Sequence, residues 1–261
     1  MKPTTLAHLC NPENGESLRL ENTNNQEWLV GMESGKRFPV LNGIPNFLGD
    51  QDVAGKNKRY QRMYDRIARG YDWSEKIAVD LFWGGRDKLR KETIADVILR
   101  PGQDFLEVSI GTAANIAYLD KSANYFGLDI SLGMLQQAQR NLKRWNREVE
   151  LFQGNAEKLP FKEARFDVVF HFGGINFFND IPKAIHEMIR VAKPGAQILF
   201  GDETEMQANE AKKMPLPYAR EFYTHNEKIT DLAHLVPPTM LDLKTREFGK
   251  GKFYMVSFRK P

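Results

Sequence analysis

The chain has 261 residues, of which 41% are hydrophobic and 27% are charged, and its formal net charge is +3. This is the composition of a folded protein with room for one large α/β domain and a small appendage, and the charge is too small to require a nucleic acid partner. No apolar run approaches the roughly 18 residues of a membrane span, and no signal-peptide core follows Met1. We therefore expect a cytoplasmic protein without membrane insertion.

The first fifty residues are rich in turn-forming side chains. Short apolar segments at 28–30 and 38–40 alternate with Asn, Gly and Pro, which predicts short strands joined by tight turns. We expect a small β-rich domain over residues 1–50, followed by a polar linker at 49–58. Cys10 is the only cysteine, so an intrachain disulfide is impossible and a multi-thiolate metal site is excluded. We expect no bound metal.

From Arg59 onward, helical segments alternate with short apolar strands. The predicted strands are 105–108, 125–129, 149–152, 166–170 and 196–200, and the predicted helices include 132–147 and 181–192. This alternation predicts a parallel sheet that is covered by helices on both faces. Residues 240–248 and 252–258 flank a Gly-Lys-Gly turn, which predicts a hairpin and an antiparallel last strand.

The loop after the first of these strands, residues 107–115, is rich in small residues. Ser109 and Gly111 let the backbone approach a ligand closely, and the next helix leaves its N-terminus open. Asp129 ends the second strand about twenty residues later, where a carboxylate can accept both hydroxyl groups of a ribose. Glu107 would repel a pyrophosphate but would attract an ammonium or sulfonium centre. A tight turn without a ligand is the alternative interpretation.

These motifs resemble those of class I S-adenosylmethionine-dependent methyltransferases, in the group that includes the ubiquinone and menaquinone biosynthesis methyltransferases. The resemblance covers roughly residues 59–202. It rests on five elements in the family's order: 107–113, Asp129, 154–161, 166–169 and 190–195. It implies an α/β fold with a Rossmann-like, doubly wound, mostly parallel seven-stranded sheet over residues 51–261, and a variable cap around 204–239.

The resemblance also implies S-adenosylmethionine as the cofactor. The cofactor contacts that it implies are Tyr71, Glu107, Ser109, Gly111, Asp129, Ile130, Asn155, Ala156, His171 and Phe172. Ser109 and Ala113 stand where the family has glycine, which restricts the backbone of the loop. Asn155 replaces an Asp that contacts the adenine amino group; its amide oxygen can accept the same hydrogen bond, and an Asx-type turn is the alternative.

Residues 60–72 resemble a helical segment that lies over the cofactor in this family. The resemblance gives Tyr71 the role of closing the methionine end, with Tyr64 as a second candidate. An amphipathic helix that packs Tyr64, Ile67, Ala68 and Tyr71 into the core is the alternative.

Methyl transfer depends mainly on positioning an in-line acceptor in apolar surroundings. His171 is the candidate catalytic base, because an ordinary pKa of about 6.5 suits proton abstraction near neutrality, and a structural histidine is the alternative. Phe172 and the glycines after it predict an apolar wall. The Met and aromatic side chains of residues 204–239 indicate a small apolar or aromatic substrate.

Two other functions remain open from the sequence. Residues 6–18 and 38–48 resemble the zinc-ribbon domain of tRNA-methyltransferase activator proteins, without its cysteine pairs, which makes a methyltransferase acting on rRNA or tRNA the second hypothesis. A cofactor-binding adaptor without methyl transfer is the third. The sequence leaves open the substrate, the accepting atom (C, N, O or S), the need for a base and the oligomeric state.

Overall fold

The computed structural model describes residues 3–49, 53–82, 85–212 and 232–261. The helices are α1 (Pro3–Leu6), α2 (Gly55–Phe82), α3 (Arg86–Thr93), α4 (Leu132–Trp145), α5 (Ile181–Val191) and α6 (Glu205–Lys212). The strands of the first sheet are β1 (Leu18–Thr23), β2 (Gln26–Gly31), β3 (Arg37–Leu41) and β4 (Ile44–Pro45). Those of the second are β5 (Asp104–Val108), β6 (Asn124–Asp129), β7 (Glu150–Gln153), β8 (Phe166–Phe172), β9 (Ala192–Glu203), β10 (Leu241–Phe248) and β11 (Phe253–Arg259).

The second sheet has seven strands in the order β10-β11-β9-β8-β5-β6-β7. β5 pairs in parallel with both β6 and β8, and β11 is antiparallel to β9 and β10. The predicted mostly parallel sheet with an antiparallel hairpin strand is therefore confirmed. Because the chain lays down strands on one side of β5 and then on the other, the crevice for a ligand lies at the carboxyl ends of β5 and its neighbours.

Both faces of this sheet are covered, as the alternation of helices and strands predicts. On one face, Leu106 and Val169 pack with Met188 of α5. On the other face, Phe105 and Phe170 belong to a core that includes Leu135 of α4. Successive side chains of a strand point to opposite faces, so this assignment fixes which polar side chains share a face at the strand ends.

The first sheet is a small antiparallel sheet in the order β1-β2-β3-β4, as predicted for the N-terminal segment. It shares its hydrophobic core with the second sheet, because Leu29, Phe38 and Phe47 belong to the same cluster as Phe152 of β7. The backbone N–H of Phe47 donates to the carbonyl of Gln153 at 2.9 Å. A division of the chain at residue 50 stays a prediction.

A buried carboxylate, that of Glu16, ties two turns of the N-terminal segment together. It accepts hydrogen bonds from the side chains of Ser34, Asn11 (2.7 Å) and Asn14 (3.2 Å) and from the backbone N–H groups of Glu33 (2.7 Å) and Ser34 (2.9 Å). The hydrogen bonds from Ser34 and Asn11 hold the pKa of Glu16 well below its usual range. The side chain of Glu16 alone therefore links the two turns.

The similarity of this segment to a zinc ribbon stays a prediction. Cys10 is buried, and burial raises the pKa of its thiol. Across the described ranges, no group of three or more His, Cys, Asp or Glu side chains is arranged to hold a metal ion.

Helix α2 begins earlier than the sequence predicts. Residues 49–58 are predicted as a linker, but the helix starts at Gly55, so the second part of that prediction is wrong. The reason is tertiary: the Asn179 side chain accepts from the N–H of Lys56 at 2.9 Å, and Asn57 donates to Glu157 at 3.0 Å. Neither partner can be identified from local sequence.

Near the end of the chain, β9 is longer than predicted, and the predicted cap is described only in part. β9 extends beyond the predicted 196–200 because it pairs with β8 on one side and β11 on the other. The predicted variable cap at 204–239 contains α6, but its residues 213–231 lie outside the described part of the chain. In the described part, no helix is both long and apolar enough to cross a bilayer.

Candidate cofactor and acceptor site

The loop after β5 adopts a backbone that glycine would favour. Ser109, Gly111 and Ala113 all have positive φ, at 58°, 56° and 63°. This left-handed region costs a residue with a Cβ roughly 1–2 kcal/mol. The N–H of Ile110 donates to the carbonyl of Leu128 at 3.0 Å, which anchors the loop to β6. The loop therefore keeps its tight turns although serine and alanine occupy two of the positions.

Asp129, at the end of β6, connects this loop to the start of α4. One carboxylate oxygen accepts from the N–H of Gly111 at 2.8 Å and the other from the N–H of Ser131 at 2.9 Å. Burial raises its pKa to about 6. The carbonyl of the next residue, Ile130, accepts from the side chains of Gln61 and Gln153, both at 3.1 Å.

Glu107 is a buried carboxyl with one oxygen that lacks a partner. Its side chain is 1% exposed, and Oε1 accepts from Asn115 Nδ2 at 2.6 Å. Asn115 in turn accepts from Arg90 of α3 at 3.0 Å. Oε2 has no hydrogen-bond partner among the described residues. Burial raises the pKa of Glu107 to about 8. The sequence reasoning missed Asn115 and Arg90, which belong to no local motif.

Two other buried acceptors, Gln153 Oε1 and His171 Nε2, also lack a partner among the described residues. With Glu107 Oε2, they lie near the carboxyl ends of β7, β8 and β5. Buried polar groups in folded proteins are usually paired, so three orphan acceptors at one edge of a sheet indicate a place for a ligand rich in hydrogen-bond donors.

His171 is held as a neutral imidazole. Its Nδ1 lies 2.9 Å from the carbonyl oxygen of Val108, which requires a proton on Nδ1 and leaves the lone pair on Nε2. Burial lowers the pKa of His171. This arrangement permits proton abstraction through Nε2, and it also fixes the end of β5.

His171 and Phe172 leave β8 on opposite faces of the sheet. The His171 ring packs edge-on against Phe178 at 5.4 Å between centroids, whereas the Phe172 ring lies 5.8 Å from both Phe248 and Phe253. Contact of both side chains with the methionine end of one ligand, as expected from the sequence, stays a prediction.

Helix α2 lies against the loop through Asp72. Its carboxylate accepts from Thr112 Oγ1 at 2.6 Å and from Asn141 Nδ2 at 2.7 Å. The Tyr71 and Tyr64 rings meet edge to face at 6.2 Å. Burial raises the pKa of Tyr64 well above its usual value, and the carboxylates at the ends of β6 and β9 add to that shift. Tyr64 is therefore close to these strand ends, and Tyr71 packs against it.

Asn155 and Ala156 follow β7. Asn155 Oδ1 accepts from the N–H of Glu157 at 2.9 Å, which is an Asx turn, and Ala156 is buried. An amide oxygen has two lone pairs, so the turn by itself does not exclude a second hydrogen bond from an adenine amino group. Both interpretations of Asn155 given by the sequence are compatible with this geometry.

The end of β9 contributes two acidic side chains. Asp202 accepts from the N–H of Gly174 at 3.0 Å and from Asn176 Nδ2 at 2.9 Å, so it fixes the turn after β8. Burial, together with the nearby charge of Asp202, raises the pKa of Glu203 to about 8. The strand register places Glu203 on the same face as Phe172, which pairs with Gly201 two residues earlier.

Solved structures of other proteins share this fold. A methyltransferase from Thermotoga maritima dependent on S-adenosylmethionine superimposes with a TM-score of 0.59 at 19% identity, covering 77% of this chain and 99% of its own. The cyclase SpnF superimposes with a TM-score of 0.60 at 16% identity, covering 80% of this chain and 98% of its own. The chain therefore has the Rossmann-like methyltransferase fold.

Sequence comparisons match part of the chain to methyltransferases. Residues 106–200 match the methyltransferase domain family. The demethylmenaquinone methyltransferase of Desulfitobacterium hafniense is 34% identical over 160 residues, covering 58% of this chain and 62% of the relative. That of Streptomyces avermitilis is 34% identical over 140 residues, covering 53% and 57%. The chain thus spans about three fifths of the length of these curated relatives.

These matches and the fold support a class I methyltransferase, an enzyme, over the matched residues. The cofactor that the domain and the fold imply is S-adenosylmethionine. The residue-level assignments made from the sequence stay predictions.

Proposed function

We propose that this protein transfers a methyl group from S-adenosylmethionine to a small apolar or aromatic acceptor, a quinol. The substrate class is that of the curated relatives, which are demethylmenaquinone methyltransferases. The observation that carries the proposal is Glu107. Among the described residues, one oxygen of this buried carboxyl has no partner, and a cation beside it would favour its ionised form; the ammonium group of S-adenosylmethionine is such a cation.

The other residues around the crevice fit the same cofactor. Asp129 accepts the ribose hydroxyl groups, while the left-handed loop at 109–113 lets the backbone come close. Asn155 and Ala156 border the adenine, and Tyr71 closes the methionine end. When bound, the cofactor supplies an electrophilic methyl group on a sulfonium; the protein orients it and excludes water.

The acceptor lies on the side of β8 and β9. Phe172, Phe248 and Phe253 form an aromatic cluster there, with rings 5.6–5.8 Å apart, and Glu203 ends the neighbouring strand on the same face. A carboxyl with a pKa of about 8 is protonated at neutral pH, so it can donate a hydrogen bond to a quinol oxygen. If a ring carbon takes the methyl group, the proton that it loses reaches His171 Nε2 only across the carboxyl end of β8, because His171 leaves the strand on the face opposite Phe172; otherwise it is released to water.

Calorimetry with S-adenosylmethionine tests the cofactor assignment. Asp129→Ala removes charge-assisted hydrogen bonds worth about 1.5–3 kcal/mol, so affinity falls about ten- to a hundredfold. Asp120→Ala is the matched control, because Asp120 only caps a surface turn through Ser122. Unchanged affinity in a folded Asp129→Ala variant contradicts the ribose assignment.

Transfer of the methyl group is measured separately, with labelled cofactor and a demethylmenaquinol analogue. Label that appears in the quinol supports the proposal. Label that appears only in tRNA or rRNA identifies the RNA methyltransferase instead. Cofactor binding without transfer to either acceptor identifies the adaptor.

A further inference from the structure

The outer face of α2 carries a continuous basic stripe. Lys58, Arg62, Arg66, Arg69 and Trp73 recur every three or four residues and are exposed. At 3.6 residues per turn, they fall within an arc of about 80° and extend over roughly 22 Å. We name this surface, defined by those five residues, the α2 stripe.

The opposite face of the same helix is buried. Tyr60, Met63 and Ala68 belong to the core. Asp65 and Asp72, the two acidic residues of the segment 55–73, are bonded towards the protein: Asp65 to Ser131 and Gly133, and Asp72 to the loop and α4. Asp65 is exposed beside the α2 stripe, but its carboxylate is bonded to the start of α4, and Asp72 is bonded to the loop and α4, so both acidic groups are already paired within the protein.

In the part of the chain that the structure describes, the cations of the α2 stripe have no acidic partner. Among the described residues, no ion pair involves Lys58, Arg62, Arg66 or Arg69, whereas bases elsewhere on the surface, such as Arg190 and Arg246, pair with carboxylates. Four unneutralised cations in one row create a positive field that needs an anionic partner.

Trp73 indicates what kind of anion the α2 stripe meets. It is the most exposed of the large hydrophobic side chains in the described residues, at 72%, and it lies at the end of the basic row. Tryptophan beside Lys and Arg is the pattern of the membrane–water interface. Non-specific binding of single-stranded RNA uses instead a groove with several stacking aromatics, and a helix face is convex.

We propose that the α2 stripe docks this protein on the surface of an anionic lipid bilayer. The four cations face the lipid headgroups, and Trp73 inserts its ring at the interface. Docking in this way orients α2, whose inner face covers the strand ends, towards the phase in which an apolar acceptor dissolves. In that last respect the inference rests on the proposed function.

Vesicle sedimentation of the full chain tests the proposal. Vesicles of equal parts phosphatidylcholine and phosphatidylglycerol are compared with pure phosphatidylcholine at low and high salt. Binding is expected with the anionic vesicles only, and it weakens as salt rises. Each cation near an anionic surface contributes about fivefold in affinity, so Arg62→Glu with Arg66→Glu lowers binding at least about 25-fold.

The matched control reverses two exposed charges away from α2. Lys143→Glu with Lys244→Glu changes the net charge by the same amount and should retain most of the vesicle binding. Trp73→Phe, compared with the unchanged chain, should abolish a blue shift of fluorescence on addition of anionic vesicles. Equal loss in both charge variants, or no binding to anionic vesicles, overturns the proposal.

Two further measurements separate this inference from others. If poly(U) is bound in place of vesicles, and the Arg62/Arg66 variant loses that binding, the α2 stripe is an RNA site and the membrane assignment is wrong. Affinity for S-adenosylmethionine in vesicle-free buffer should be unchanged in this variant. Vesicle binding by a chain that binds no S-adenosylmethionine would leave the docking surface intact and contradict the proposed function.

Discussion

Glu16 and Glu107 are both buried carboxyls, yet the protein treats them in opposite ways. Every oxygen of Glu16 accepts hydrogen bonds from the turns around it, and its pKa is lowered. One oxygen of Glu107 has no partner among the described residues, and burial raises its pKa to about 8. The first carboxylate completes a structure that needs nothing else. The second lacks a partner for one oxygen, which a ligand would supply, and such a perturbed carboxyl is characteristic of functional sites.

His171 belongs with Glu107 in this comparison, since its Nε2 is also buried without a partner. If Nε2 is the base, His171→Gln lowers turnover about a hundredfold or more, while affinity for S-adenosylmethionine changes far less. Steady-state kcat and calorimetry measure the two quantities. His186→Gln, in which the ring bonded to Pro182 on the surface of α5 is replaced, should alter neither. A modest and equal fall in both quantities for His171→Gln would leave His171 only a structural role.

Glu107 should make the cofactor-free protein less stable as pH rises. Its folded pKa lies above the usual value of 4.5, so between about pH 4.5 and pH 8 the folded state holds a proton that the unfolded chain has released. The free energy of unfolding then falls by about 1.4 kcal/mol per pH unit for this group.

Thermal unfolding without cofactor from pH 5.5 to pH 8 measures this slope. Glu107→Gln should flatten the profile and weaken cofactor binding. Glu163→Gln, on an exposed turn, is the control. A slope that Glu107→Gln leaves unchanged would mean that Glu107 does not hold its proton in the fold.

Glu16 should show the opposite dependence on pH. Its folded pKa is lowered, so its contribution to stability is present above about pH 4.5 and is lost as pH falls below that value. Glu16→Gln should lower the melting temperature at pH 7 and make unfolding less sensitive to acid. Glu13→Gln is the control, because Glu13 is exposed in the neighbouring turn. Equal melting temperatures for the native chain and Glu16→Gln would contradict the structural role.

The smallest expected effect comes from backbone strain, which differs between the turns around Glu16 and the loop after Glu107. The turns around Glu16 place Gly15 and Gly35 at positive φ, whereas the loop after Glu107 places Ser109 and Ala113 there. Ser109→Gly should therefore raise the free energy of unfolding by about 0.5–1 kcal/mol. Chemical denaturation measures the change, and Ser109→Ala, which keeps a Cβ, should not raise stability. Gly111→Ala should lower stability by about 1 kcal/mol, because Gly111 has a positive φ of 56°; its added Cβ would meet no other atom within 4 Å, so backbone strain is the whole cost.

Most of the fold could be predicted because its signals are local. The apolar segments at 105–108 and 166–170 correspond to β5 and β8, and the Gly-Lys-Gly turn corresponds to the hairpin of β10 and β11. The start of α2 could not be predicted, because its first turn is bonded to Asn179, far along the chain. Asp129 and Glu107 could also be predicted, because both belong to local sequence motifs. Asn115 and Arg90 support Glu107 only through tertiary contacts.

The attachment of Phe47 to Gln153 has a consequence for synthesis of the chain on the ribosome. The two residues are 106 positions apart, so the N-terminal segment emerges long before the strand that receives it exists. Until β7 is made, Leu29, Phe38 and Phe47 cannot pack into the shared core. They remain an exposed, aggregation-prone apolar surface on the nascent chain. Once docked, the segment covers the outer edge of β7, where an open strand would otherwise recruit a neighbouring molecule. The N-terminal segment thus completes its folding only after β7 has been made, and it then covers the edge of that strand.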